Sequence, residues 1–125
     1  MRFWDVAIIT ASCERQAALY RSEIDRRRTA SMLPEDTEFL VVPDPGDRRI
    51  GSGSATINAL GILGKDQEWW ELHRALLIHS GGDSRRLPQY SPVGKLFGVL
   101  PSQTSSRVAE DFLCCWPEIQ TQRWN

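Results

Sequence analysis

The chain has 125 residues, of which 41% are hydrophobic, 25% charged and 9% aromatic, the proportions of one globular domain and not of a disordered tail or two domains. Fifteen Lys and Arg against sixteen Asp and Glu give a formal charge of −1, so no global basic field draws nucleic acid or an anionic membrane. No apolar run approaches the ~20 residues that span a bilayer, and Asp5 stands where a secretory leader would begin its apolar stretch. A cytoplasmic chain with neither a nucleic-acid nor a membrane partner is expected. Cys13, Cys114 and Cys115 make no C-x-x-C or His-containing metal spacing and read as thiols of a reducing compartment.

In chain order, residues 4–10 (WDVAIIT) form a β-branched apolar run of strand length. Ser12 is expected to cap the helix that follows, because its hydroxyl can accept an otherwise unpaired amide proton. Ala17, Tyr20 and Ile24 then recur at helical spacing. Arg26, Arg27 and Arg28 read as a solvated helix end, where positive charge suits the dipole, in preference to a phosphate patch. Pro34 closes the helical pattern. Residues 38–42 (EFLVV) read as a second strand, with Pro43, Pro45 and Gly46 marking the turn after it.

From Gly51 a run of small residues gives way to Ile57, Leu60, Ile62 and Leu63, a helical pattern of about two turns that Gly64 interrupts. Residues 67–74 read as a second short helix. It carries Trp69 and Trp70, which suit a core or the apolar underside of a lid better than a base-stacking platform. Residues 75–79 (ALLIH) form a near-continuous apolar strand of the kind found at the centre of a parallel sheet. Strands alternating with helices imply right-handed crossovers and a doubly wound, Rossmann-like parallel α/β sheet. Such sheets take ligands beyond the carboxyl ends of their strands, which directs attention to the segment after His79.

That segment has the composition of a phosphate grip. Gly81 and Gly82 let the backbone bend sharply and aim amide protons at an anion. Arg85 or Arg86 supplies a permanently charged fork for phosphate oxygens. Lys95, ten residues beyond Arg85, brings a point charge back to the same place if the intervening loop, stiffened by Pro88 and Pro92, folds over. A P-loop requires Ser or Thr after Gly94-Lys95, where this chain has Leu96. A dinucleotide fingerprint requires a third glycine after Gly51 and Gly53, where this chain has Thr56.

The run LIHSGGDSRRLPQYSPVGKLF (residues 77–97) resembles the signature loop of GDP-L-fucose pyrophosphorylase, or fucose-1-phosphate guanylyltransferase, and of the bifunctional L-fucokinase/GDP-fucose pyrophosphorylases. WDVAIITAS (4–12) and DPGDRRIGSGSATINAL (44–60) are similar to the same family. The resemblance covers roughly residues 4–100 and implies an incomplete domain of the sugar-nucleotidyltransferase type. Residues 1–101 would be its nucleotide-binding part, and 102–125 a divergent, partly helical tail. It implies the reaction GTP plus L-fucose 1-phosphate to GDP-L-fucose plus pyrophosphate. It further implies that Gly81, Gly82 and Ser84 wrap the nucleotide phosphates, that Arg85 and Arg86 neutralise the departing β- and γ-phosphates, and that Lys95 stabilises charge at the α-phosphate. Gly51, Gly53 and Thr56 match the family's earlier Gly-rich stretch near the nucleotide, with Ser54 where the family usually has a further glycine. Mg2+ is implied as counter-charge. The nearby acids Asp83 and Asp111 match no ligand of the family, so the metal ligands stay unassigned.

Two readings from other classes stand beside this one. The chain can be a catalytically inactive remnant that binds nucleotide or a protein partner, self-associating through an amphipathic helix at 104–116 with Val108, Phe112 and Cys115 on one face. It can also serve a nucleotidyltransferase for another sugar, since the phosphate grip is indifferent to the sugar it delivers.

Overall fold

Six consecutive residues of the first apolar run, Val6–Ala11, form β1, and every one of them is buried. The computed structural model describes residues 4–80 and Leu96. The chain divides into two units, Met1–Gly81 and Gly82–Asn125, and every element below belongs to the first. After β1 come α1 (Glu14–Thr29), β2 (Glu38–Pro43), a single 3-10 turn (Pro45–Asp47), α2 (Gly51–Leu63), α3 (Gln67–Leu72) and β3 (Ala75–His79). The three strands are parallel in the order β2-β1-β3, the alternating α/β arrangement expected from the sequence.

Strand alternation assigns the two faces of this sheet. Val6 and Ile8 of β1, Leu40 and Val42 of β2, and Ala75 and Leu77 of β3 pack with Ala59 and Leu63 of α2 and Trp69 of α3. The alternate residues of β1, Ala7, Ile9 and Ala11, are also buried and turn to the opposite face, which α1 covers with Ala17, Tyr20 and Ile24. Among the described residues β1 is the central strand, and β3 is half-buried along four of its five positions. Residues 75–79, expected at the sheet centre, pair with β1 on one side among the described residues. A continuous apolar run reports that both faces are covered; it does not report that both edges are paired.

The ends of α1 also differ from expectation. Its cap residue is Cys13, with no side-chain cap bond, while Ser12 donates from both its amide and its hydroxyl to Gln16 Oε1 at 2.8 and 3.1 Å. At the other end the helix stops at Thr29, before Pro34. Ser31 takes a left-handed backbone with φ 57°. The Met32 amide donates to Arg27 O at 2.9 Å and the Ser31 amide to Arg28 O at 3.0 Å. This is a Schellman termination, which satisfies carbonyls that a helix end otherwise leaves open.

Arg26 and Arg28 lie at the surface, Arg28 stacked 5.8 Å from the Phe39 ring centroid, but Arg27 is only 5% exposed. Its Nε donates to Glu23 Oε1 at 2.9 Å, so the solvated helix end is corrected at that position: a pairing acid one turn back allows a guanidinium to be buried. The Arg26 guanidinium, with Arg27 beside it, holds the Glu23 carboxyl at about 2 against the opposing effect of burial. A carboxyl lowered on folding stabilises the folded chain above its ordinary value of 4.5 and loses that contribution as the pH falls toward 2. Since Arg26 is 63% exposed, the contribution is about 0.5–1 kcal/mol after solvent screening. Glu23→Gln is expected to lower stability by that amount at pH 7 and to flatten the acid limb of a pH series of urea denaturation curves.

The small residues from Gly51 onward are helical, which makes α2 longer than the pattern beginning at Ile57 suggests. Its buried residues are Ala55 and Ala59, whereas Ile57 is 74% and Ile62 56% exposed. Alanine lets the helix axis approach the sheet, and that selects a face different from the one bearing the largest apolar side chains. Gly64 ends α2 with φ 59°, and its amide donates to Leu60 O at 3.0 Å. Asp66 caps α3, its Oδ1 accepting from the Trp69 amide at 2.9 Å. Trp69 joins the core, while Trp70 stays at the surface. Among the described residues no helix is long and apolar enough to cross a membrane.

Candidate functional site

The carboxyl ends of β1 and β3 and the start of α2 meet at one edge of the sheet. Thr10 and His79 are register partners and continue the rows Val6-Ile8 and Ala75-Leu77 on the face that α2 covers. That alternation carries both polar side chains toward α2, where Thr56 receives them. Thr10 Oγ1 lies 3.4 Å from His79 Nδ1, a long contact, and Thr56 Oγ1 lies 3.2 Å from His79 Nε2. Thr56 Oγ1 in turn donates to Ser52 O at 2.9 Å.

One residue further on, Ser80 turns to the opposite face and meets α1. Its hydroxyl is 2.9 Å from the Tyr20 hydroxyl, which also donates to Ser80 O at 3.3 Å. Burial pushes the Tyr20 phenol above its ordinary value, partly offset by the bond to Ser80, so Tyr20 stays neutral and keeps its proton for this contact. The Ser80 amide donates to Thr10 Oγ1 at 3.3 Å. The residue that leads into Gly81 is therefore held from both faces of the sheet.

The connection from β2 to α2 is tied to the same edge. The Asp44 amide donates to Ala11 O at 2.8 Å, extending the β1–β2 pairing by one step. Gly46 and Asp47 both have left-handed backbones, with φ of 63° and 52°, and this sharp turn brings Asp47 Oδ1 to the Glu14 amide at 3.0 Å. An aspartate thus fills one of the open amides at the start of α1.

Among the described residues the start of α2 is filled only at its cap, where the Ile50 amide donates to Asp44 Oδ2 at 3.4 Å. Ile50 occupies the cap position with no side-chain bond, and the first turn contains no acid. Gly51 has φ 79°, and no atom of the described residues lies within 4 Å of where a Cβ would stand on Gly51 or Gly53. Exposed amides, a positive dipole end and bare backbone together suit a negatively charged oxygen. Of the residues expected from sequence, Gly51, Gly53 and Thr56 fall here on the first two turns of one helix. Gly81, Gly82, Ser84, Arg85, Arg86 and Lys95 lie outside the described residues, as do Cys114, Cys115 and the segment 102–125.

Among the described residues no group of three or more His, Cys, Asp or Glu is placed to hold a metal. Both carboxylates nearest the site already accept backbone protons, Asp47 from Glu14 and Asp44 from Ile50. The described residues alone do not make up a magnesium site, and no step below runs through one. Thr10, Tyr20, His79 and Ser80 were not singled out from sequence. The available signal was a polar residue closing each of two apolar runs, Thr10 in WDVAIIT and His79 in ALLIH.

No family model matches the chain, and no solved structure matches it significantly. Curated proteins do. The chain is 40% identical over 100 residues, 79% of its length, to "Fucose-1-phosphate guanylyltransferase" of Mus musculus and, to the same extent, to that of Homo sapiens. It is 35% identical over 119 residues, 78% of its length, to "Bifunctional fucokinase/GDP-fucose pyrophosphorylase" of Arabidopsis thaliana. The chain is homologous to the fucose-1-phosphate guanylyltransferases. It spans 17% of the mouse, 16% of the human and 11% of the plant protein, so it corresponds to a small part of each guanylyltransferase. That homology and the parallel α/β sheet make it a nucleotidyltransferase-related fragment of a larger family domain.

Proposed function

We propose that residues 1–101 supply the nucleotide-binding part of a cytoplasmic fucose-1-phosphate guanylyltransferase, with GTP and L-fucose 1-phosphate as substrates. A phosphate oxygen of the sugar phosphate attacks the α-phosphorus of GTP in line. The bond to the α–β bridging oxygen breaks, and pyrophosphate leaves with the electron pair. Such a transfer needs positioning and neutralised charge more than covalent help from the protein. Gly51 and Gly53 present the open amides of α2 to the nucleotide, and Thr56 fixes the turn behind them. Gly81, Gly82 and Ser84 wrap its phosphates. Arg85 and Arg86 neutralise the β- and γ-phosphates as they depart, and Lys95 stabilises the charge that builds at the α-phosphate and the incoming oxygen.

The homology over 79% of the chain carries this reading, and the glycine-bearing first turn of α2, which has no acid of its own, supports it. The test is phosphorus NMR of the purified chain with GTP, magnesium and L-fucose 1-phosphate. Pyrophosphate and GDP-fucose signals growing together support the reading. A second reading, favoured by the small share of each relative that the chain spans, is a nucleotide-binding module without turnover. GTP binding with no pyrophosphate formed selects that module and rejects the enzyme.

A further inference from the structure

The hydrogen bonds at the sheet edge run in one direction. Thr56 has a single hydroxyl proton and gives it to Ser52 O, so toward His79 Nε2, 3.2 Å away, Thr56 accepts. His79 Nε2 therefore carries a proton. In a neutral imidazole Nδ1 is then bare, and Thr10 Oγ1, 3.4 Å away, donates to it while accepting the Ser80 amide at 3.3 Å. The result is an ordered chain of donors from the Ser80 amide through Thr10, His79 and Thr56 to Ser52 O. One end of it is the residue before Gly81; the other is the carbonyl between Gly51 and Gly53.

We infer that His79, as the neutral Nε2–H tautomer, is a positioning residue that holds Ser80, at the exit of β3, and the glycine-rich first turn of α2 in fixed register for nucleotide binding. The inference rests on the nucleotide reading above. Its function lies in alignment: the ring is exposed, where a hydrogen bond adds little stability, yet it bridges β1 to α2 through both nitrogens.

Two measurements test this, and they fail separately. Nitrogen NMR of the labelled imidazole at mildly alkaline pH reads the tautomer without any ligand. A protonated Nε2 and bare Nδ1 are expected; a protonated Nδ1 overturns the assignment. GTP titration of three variants then tests alignment. His79→Gln keeps a donor at the Nε2 position and is expected to bind within about threefold of wild type. His79→Asn and His79→Ala lose the bond to Thr56 and are expected to bind about tenfold more weakly, the effect of one missing hydrogen bond. Equal binding by all variants, or His79→Gln as weak as His79→Ala, overturns the positioning role. Absence of GTP binding by wild type instead overturns the nucleotide reading, while the tautomer still decides whether the hydrogen-bond chain is as drawn.

Discussion

Ile8→Ala is expected to destabilise the folded chain by about 3–4 kcal/mol, within the range for removing a buried Ile side chain. Ile8 is wholly buried on the central strand, between register partners Leu40 and Leu77 and under Ala59 of α2. Flanking strands on both sides fix its backbone, so its surroundings cannot close over the lost carbons, and a cavity term adds to the transfer term. Ile57→Ala serves as the contrast. Ile57 is 74% exposed on α2, and its truncation is expected to change stability by less than about 0.5 kcal/mol. Urea denaturation followed by tryptophan fluorescence measures both, since Trp69 packs against the core that Ile8 supports. Equal losses from the two variants would contradict the sheet order and the face that α2 buries.

Arg85→Ala/Lys95→Ala is expected to weaken GTP binding by about 10²- to 10⁴-fold, each removed cation taking with it charge-assisted hydrogen bonds of about 1.5–3 kcal/mol. Both positions lie outside the described residues, so the expectation comes from their spacing from Gly81-Gly82 and from the homology to the guanylyltransferases. On the proposed reading the arginine would act on the leaving pyrophosphate and the lysine on the α-phosphate, so the single variants are each expected to retain part of the affinity. Isothermal titration calorimetry with GTP and magnesium reads the difference. A double variant that binds as wild type does would remove these residues from the site.

Much of this fold was legible as period and punctuation. WDVAIIT and EFLVV announced β1 and β2, and Ala17, Tyr20 and Ile24 announced the buried stripe of α1. Three features were hidden for physical reasons. The order of the strands depends on which edges pair, and apolar runs do not encode edges; thus the place of β1 between β2 and β3 was not readable. The buried face of α2 is set by close approach through Ala55 and Ala59, and a search for large apolar side chains picks Ile57, Leu60 and Ile62 instead. The end of α1 is set by Ser31 in a left-handed conformation that sequence patterns assign to glycine. At the site, Gly51, Gly53 and Thr56 were visible as a small-residue stretch. Their link to His79 was not, because it needs the register of Thr10 on His79, a relation across 69 residues.

Titration of the purified wild-type chain with GTP and magnesium tests the central claim most directly. Saturable binding of one GTP per chain, displaced by GDP-fucose, is the predicted result. No saturable binding up to millimolar GTP would contradict the account.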